Sequence, residues 1–241
     1  MRNLASSQNK SQSLQMIQRG FIAGIPLILG YLPVAITFGV LAKQAGMSMT
    51  ELTFMSLFVY AGASQFMGVN MITVGVGAIE IIIATFVLNF RHFVMSLSFM
   101  NQLREIGLRF RIPLSLLLTD ETFALSSIHT KEVKEDKGAY FYLTILFTAY
   151  LSWIMGTILG GFLGEVIPEK LSQSMGIALY AMFIGLLVPS VKKELKVGLI
   201  ALIAMLINML CSQFMSDGWA IVIGTVLGGL SGVYFFKGEQ S

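Results

Sequence analysis

Long apolar stretches separated by short charged ones dominate the sequence of 241 residues. Apolar tracts bounded by charged residues form eight segments, each close to the roughly 20 residues of a membrane-spanning helix. Helix is the expected structure because an open strand edge cannot satisfy its backbone polar groups in lipid. The segments cover residues 20–42, 52–76, 78–100, 112–128, 139–164, 175–191, 197–215 and 219–236. The pattern therefore predicts an all-α polytopic integral membrane protein.

The charged loops predict which segments cross the membrane. Cytoplasmic loops carry an excess of Lys and Arg. If all eight segments cross, the basic loop at residues 104–111 lies outside, against this rule. If one segment within 52–100 and segment 112–128 enter without crossing, that loop becomes cytoplasmic, and only Lys43 and Lys170 remain outside. We therefore expect six full spans plus two partial or broken helices, with eight spans as the alternative.

The same charge distribution predicts the domain organisation. Residues 20–236 form one transmembrane domain between two polar tails, 1–19 and 237–241. Both tails carry basic residues, so both are expected in the cytoplasm.

Composition excludes several classes of protein. Hydrophobic residues make up 55% of the chain and charged residues only 12%, against about 25% charged in soluble domains. A soluble enzyme is therefore excluded. The net charge of +3 is too small to indicate a nucleic-acid partner. Cys211 is the single cysteine, so no disulfide can form within the chain.

Ionisable residues inside apolar segments are the main functional signal, because each costs at least about 2.5–3.5 kcal/mol to insert. Glu80, Arg91, Asp120 and Glu121 lie in such segments, with His92 beside Arg91. Glu80 and Arg91 are about 16 Å apart along one helix axis and cannot pair. Arg91 is therefore expected to pair with Asp120 or Glu121.

These residues allow two interpretations. In the first, Asn89, Arg91, His92, Asp120 and Glu121 form a substrate or proton site, where arginine binds a carboxylate and an acid binds an ammonium group or a proton. In the second, Arg91 and His92 extend to the cytoplasmic interface, and the two acids begin a short helix. That helix would run from Thr119 to His129. Glu80 lies near a segment start and is assigned to the interface.

A second cluster interrupts segment 52–76 with small and polar residues between Tyr60 and Phe66. Gly62 permits close backbone approach, while Ser64 and Gln65 offer donors and acceptors. The cluster predicts either an unwound binding site or a packing seam in which Ser64 hydrogen bonds within its own helix.

Motifs of the common enzyme classes are absent from the sequence. It contains no P-loop and no nucleophile elbow. His92 and His129 are the only histidines, and neither has metal-binding spacing. We expect neither an enzyme nor a cofactor or metal.

Five blocks together resemble the AzlC-type (azaleucine-resistance) branched-chain amino acid permease family. The resemblance runs from about Gly20 to Val191. The blocks are FGVLAKxxG from Phe38, YAGASQF from Tyr60, LNFRHF from Leu88, LTDETFA from Leu118 and AMFIGLLVP from Ala181. Their order and spacing together are specific, although each block is short.

The resemblance implies the large subunit of a two-component exporter in the bacterial inner membrane. It implies export of leucine, isoleucine, valine or methionine, coupled to the proton gradient, with a small hydrophobic AzlD-type subunit as partner. Substrate binding falls on Gly62, Ser64, Gln65, Asn89 and Arg91, and proton coupling falls on His92, Asp120 and Glu121. Where relatives often have an acidic residue, this chain reads Met175-Gly176-Ile177, which puts the substrate in question.

Two other functions stay open. A passive channel predicts polar residues repeated along one helix face, whereas this sequence has clusters. A membrane assembly or signalling subunit without transport of its own is the second, because export by the large subunit alone is not guaranteed; co-expression with a small membrane partner, followed by an efflux assay, distinguishes it.

Overall fold

The structure, a computed structural model, describes residues 2–168 and 177–236. Every regular element within these ranges is helical, which confirms the all-α prediction. The helices are α1 (Arg2–Gln44), α2 (Met49–Phe58), α3 (Gly62–Thr73), α4 (Ala78–Gln102), α5 (Leu108–Leu116), α6 (Asp120–Ile128), α7 (Gly138–Leu163), α8 (Ile177–Lys193), α9 (Leu195–Cys211) and α10 (Asp217–Phe236), with a short 3-10 helix at Lys131–Lys134. Lys170, Met175, Gly176 and residues 237–241 lie outside the described residues.

Helices α1 and α7 run parallel and form the centre of the fold. Gly20, early in α1, lies against Phe141 near the start of α7, whereas Gly39 lies against Thr157. A side chain on Gly39 would overlap the carbonyl oxygen of Thr157, so glycine is what lets the two backbones approach. Much of the buried core comes from this pair, including Phe38 and several aromatic side chains of α7.

Ion pairs mark the two ends of this helix pair. Arg19 contacts Glu135 at 2.7 Å and Glu132 at 3.1 Å, just before α7 begins. Lys43 contacts Glu165 at 3.0 Å, just after α7 ends. We call these the Arg19 end and the Lys43 end of the molecule.

Helices α2 and α3 form a hairpin that enters from the Lys43 end and returns to it. The start of α2 packs on Gly161 near the end of α7. Tyr60, just after α2, contacts Tyr150 about three turns earlier in α7, with ring centroids 4.8 Å apart. Helix α3 then runs back beside α2, since Gly68 lies against Met55.

Helices α5 and α6 form the opposite hairpin, from the Arg19 end. Phe110 at the start of α5 packs on Tyr140 in the first turn of α7, with centroids 5.8 Å apart. At the tip, the hydroxyl of Thr119 hydrogen bonds with that of Tyr31 in the middle of α1. The backbone after α6 is again beside α7, where it accepts a hydrogen bond from Tyr142.

Helix α4 runs antiparallel to α1 and α7 and passes both hairpins. Phe99 near its end packs on Tyr142, with centroids 6.0 Å apart. Glu80 in its first turn accepts hydrogen bonds from the hydroxyl of Ser216 and, at 3.2 Å, from the backbone N–H of Trp219. Glu80 therefore caps the start of α10.

The helices account for the apolar segments in two ways. Four are long and apolar enough to cross a membrane: Ser11–Gln44, Ala78–Gln102, Gly138–Leu163 and Gly218–Phe235. Helices α8 and α9 each have 17 residues. Segments 52–76 and 112–128 are each broken into a hairpin, which agrees with two broken segments and not with eight uninterrupted spans. The number of crossings stays a prediction.

Candidate functional site

The tip of the α2–α3 hairpin is a short unwound segment at residues 59–61. Tyr60 there has a φ of 40°, a left-handed conformation that is costly for a bulky residue. Gly62 starts α3 where a Cβ would lie 2.8 Å from the ring of Trp153. The first turn of α3 has no side-chain cap, so its backbone N–H groups face the middle of the molecule uncapped. The interruption predicted from the sequence is confirmed.

The tip of the α5–α6 hairpin places two acids beside the first tip. Thr119 caps α6, since its side chain accepts a hydrogen bond from the backbone N–H of Thr122. Asp120 and Glu121 follow in the first helical turn. The helix begins at Asp120 and ends before His129, so the short capped helix proposed from the sequence is present. The capped helix and the cluster of polar groups are therefore both present, although the sequence left them as alternatives.

Arg91 on α4 pairs with Asp120 at the hairpin tip. The distance between Nη2 and the carboxylate oxygen is 3.0 Å, and the two side chains are 37% and 27% exposed. This confirms the pairing expected from the scarcity of acids in the apolar segments. Nε of Arg91 is buried without a hydrogen-bond partner. The guanidinium therefore keeps a donor for a ligand.

Glu121 has a different partner. Its carboxylate accepts a hydrogen bond of 2.7 Å from the hydroxyl of Tyr31 on α1. The Tyr31 ring packs edge-on against Trp153, with centroids 5.6 Å apart. The two neighbouring acids thus face different chemistry, since Asp120 has a charged partner and Glu121 a neutral donor.

His92 lies between the hairpin tips. Its Nδ1 is 3.1 Å from the carbonyl oxygen of Leu118. Because a carbonyl only accepts, Nδ1 carries the proton, and Nε2 of the neutral ring is an acceptor. Nε2 and the hydroxyl of Tyr60 are both buried without a partner. Buried polar atoms are normally satisfied, so orphans gathered at one place indicate a polar ligand.

Two cavities meet at these tips. The smaller, of about 30 Å³, is the charged one. It is lined by Tyr31, Tyr60, Gly62, Ala63, Arg91, His92, Thr119, Asp120, Glu121 and Trp153. The larger, of about 410 Å³, lies between α4, the end of α5 and the first tip. Tyr60 and His92 line both cavities and separate them.

Ser64 and Gln65 lie behind the small cavity and not on its wall. The hydroxyl of Ser64 donates to Oδ1 of Asn89 at 2.6 Å, not to its own helix. Gln65 is fully buried; its Oε1 accepts from Nε1 of Trp153 at 2.9 Å, and its Nε2 donates to Ser56 at 2.9 Å. Gln65 therefore positions Trp153, and direct substrate binding by these two residues stays a prediction.

The remaining predicted residues come together. Gly62, Arg91, His92, Asp120 and Glu121 line the small cavity, and Asn89 lines the large one. The sequence did not indicate Tyr31 or Trp153 as site residues, and it indicated Tyr60 only as the first residue of the interrupting cluster. A hydroxyl in an otherwise apolar helix is the signal that could have indicated Tyr31.

Metal chemistry has no support in the described part of the chain. No group of three His, Cys, Asp or Glu side chains there could hold a metal ion. Arg91 and Asp120 instead pair with each other, Glu121 pairs with a hydroxyl, and His92 pairs with a backbone carbonyl.

The fold and the site define a multi-pass helical membrane protein with opposed broken helices meeting at a charged centre. Such broken helices are typical of secondary transporters. Residues 26–167 match the family described as AzlC protein, and the chain belongs to that family.

Three relatives place the chain within this family. A membrane protein of Helicobacter pylori is 30% identical over 93% of this chain and 96% of its own length. Inner membrane protein YgaZ of Escherichia coli is 27% identical over 70% of this chain and 71% of its own. The branched-chain amino acid transport protein AzlC of Bacillus subtilis is 24% identical over 90% and 86%. No solved structure matches the chain significantly.

Proposed function

We propose that the chain is the large subunit of a secondary-active exporter of branched-chain amino acids, driven by the proton gradient. The name of the Bacillus subtilis relative supports the substrate class. The observation that carries the proposal is the Arg91–Asp120 pair between two hairpin tips, beside orphaned polar atoms. The inner membrane is the expected location, with both termini in the cytoplasm.

Recognition of a zwitterion follows from the charges of the site. The substrate carboxylate binds Arg91 and the uncapped N-terminus of α3, which both favour an anion. The ammonium group binds the acids at the start of α6. A protonated acid cannot hold the ammonium group, so a proton and the substrate compete for the acids at the start of α6. A proton entering from outside then releases the substrate, and substrate binding from the cytoplasm displaces the proton, as export driven by inward proton flow requires.

The two hairpins supply the means of alternating access. The large cavity extends toward the Arg19 end, since its wall includes Met100 near the end of α4. The carbonyl of Met100 lies 3.4 Å from Nη1 of Arg111 in α5, the helix that enters from the Arg19 end. Toward the Lys43 end the site is closed by buried hydrogen bonds from Gln65 to Ser56 and from Ser56 to Thr157. Transport then requires a second state in which α2–α3 opens and α5–α6 closes.

A small hydrophobic membrane subunit is the proposed partner. In the most apolar stretch of α4, only 6% of the residues are buried within the chain, although α4 carries Arg91. A helix central to the site yet so exposed is expected to gain cover from lipid or from another chain. Co-expression with the neighbouring small membrane gene, followed by efflux measurements, tests whether that chain is required.

Two substitutions test the function. Arg91→Ala and Asp120→Asn should abolish export of leucine, isoleucine, valine or methionine from loaded cells, while the amount of protein in the membrane is unchanged. Arg109→Ala is the control, because Arg109 is exposed and packs only on Phe110. A protonophore should stop export by the wild type. Unaltered efflux in both site variants contradicts the proposal.

A further inference from the structure

The two cavities differ in size in a way that bears on how a substrate is held. The small cavity of about 30 Å³ has the volume of roughly one water molecule. It can receive a charged group but not a complete amino acid. The large cavity of about 410 Å³ is within the range of ligand-binding sites, about 300–1,000 Å³. A substrate whose charged groups bind at Arg91 must therefore place its remaining atoms outside the small cavity.

The wall of the large cavity is suited to an apolar group. Its side chains include Phe93, Leu97 and several other hydrophobic residues of α4 and α5. Its polar side chains also include Asn89 and two serines. Oδ1 of Asn89 accepts from Ser64, and each serine hydroxyl already donates to a backbone carbonyl. Ser96 donates to the carbonyl of Ser115 at 3.0 Å, and Ser115 donates to that of Arg111 at 2.7 Å. The wall therefore offers few free donors to a ligand.

Polar groups without partners occur where this cavity adjoins the small one. Tyr60 and His92 belong to both walls, and the Tyr60 hydroxyl and His92 Nε2 are buried without hydrogen bonds. The small cavity is thus lined by charged groups, the wall shared by both cavities carries unsatisfied polar groups, and the large cavity is lined mainly by apolar side chains. An aliphatic amino acid has the same order of groups, from its carboxylate and ammonium to its side chain.

We propose that the large cavity is the subsite for the apolar side chain of the transported amino acid, while its charged atoms bind in the small cavity. The inference rests on the proposed function and adds to it a set of residues that select the side chain. The large cavity adjoins the charged one through the shared residues Tyr60 and His92, which favours the substrate over a lipid chain as the occupant.

The test narrows the large cavity and compares substrates in one experiment. Cells expressing the chain with its small partner are loaded equally with alanine, valine, leucine and phenylalanine, and initial efflux rates are measured. Leu97→Trp should lower the leucine-to-alanine ratio at least about tenfold, since one methylene in a pocket is worth about 10- to 200-fold. Val94→Trp is the matched control, because Val94 is equally exposed on α4 and lines neither cavity.

A second variant widens the cavity, in case the first reduces the amount of protein in the membrane. Phe93→Ala should raise efflux of phenylalanine relative to leucine. Ratios that stay at wild-type values in both variants overturn the subsite alone. Unchanged ratios together with an altered dependence of the melting temperature on added lipid assign the cavity to an acyl chain. Absence of amino-acid efflux from wild-type cells overturns the proposed function and the subsite with it.

Discussion

Asp120 and Glu121 are adjacent in the chain, yet their surroundings give them different chemistry. Asp120 pairs with Arg91, while Glu121 is hydrogen bonded by Tyr31. The sequence predicted that Arg91 pairs with one of the two acids, because intramembrane acids are so few, but it left open which one. It could not predict the partner of Glu121, because a tyrosine such as Tyr31 is common in membrane helices and only the hairpin brings Glu121 to it.

Removing the hydroxyl of Tyr31 tests whether Glu121 takes part in proton exchange. Tyr31→Phe keeps the ring contact with Trp153 but removes a donor that stabilises the charged carboxylate. Export should therefore slow. Tyr234→Phe, at an exposed position, is the control, and export by Tyr31→Phe at the wild-type rate contradicts the role.

Substitution of Gln65 should lower the stability of the folded protein rather than its affinity for substrate. Gln65→Leu leaves Nε1 of Trp153 and the hydroxyl of Ser56 each without one buried partner. An unsatisfied buried group costs about 1–3 kcal/mol, so the variant should unfold at a lower temperature in detergent. Gln213→Leu, at an exposed position, should leave the melting temperature unchanged. If Gln65→Leu instead weakens substrate binding with no loss of stability, Gln65 contacts the substrate directly.

At the scale of elements, the apolar pattern located the segments, and the small and polar residues between Tyr60 and Phe66 indicated the interruption of one of them. Segment 52–76 is apolar on both sides of its break, which is set by the left-handed backbone of Tyr60 and by packing on Trp153. Segment 112–128 was expected to be partial because of loop charge, not because of its hydropathy. Its turn at residues 117–119 depends on hydrogen bonds with Tyr31 and His92, which lie far away in sequence.

The parallel packing of α1 on α7 depends on glycine at particular positions. A Cβ at Gly39 would overlap a carbonyl of α7, whereas one at Gly30 would meet nothing within 4 Å. Gly39→Ala should therefore lower the melting temperature and the yield of folded protein. Gly30→Ala should be neutral or stabilising, since alanine is about 1 kcal/mol more favourable in a helix. Equal stability of the two variants would mean that the helices do not pack in this register.

The start of α2 carries a pH-sensitive cap. Glu51 accepts hydrogen bonds from the backbone N–H and the hydroxyl of Ser48, each at 2.8 Å, and these lower the pKa of the exposed Glu51 carboxyl. A lowered folded-state pKa gives stability that is present above the unfolded pKa and lost as pH falls through the folded one. Hydrogen-exchange protection of the first turn of α2 should therefore fall in acid. Glu51→Gln, which removes the titrating carboxyl, should show protection that does not change with pH; acid-sensitive protection in that variant contradicts this cause.

The part of the molecule around the site combines three long helices, α1, α4 and α7, with two hairpins that enter from opposite ends. The Arg19 pairs join α1 to the α6–α7 connection, and the Lys43 pair joins the other ends of α1 and α7. Since α4 lies antiparallel to both, the basic α4–α5 loop shares the Arg19 end with the N-terminal part of α1. The positive-inside rule placed the same two regions on one side of the membrane from loop charge alone. Loop charge indicates which loops share a side of the membrane, even where hydropathy does not detect a hairpin.

Labelling of single cysteines tests this arrangement. In a Cys211→Ser background, Glu51→Cys and Val74→Cys should both react with an impermeant maleimide from outside the cell, because α2 and α3 begin and end at the Lys43 end. Glu105→Cys and Lys134→Cys should react only from the cytoplasm. All four positions are exposed. If residues 52–76 crossed the membrane, Glu51→Cys and Val74→Cys would react from opposite sides. An outward-facing Glu105 would restore the eight-span alternative, and the site would then lose the opposed hairpins on which alternating access depends.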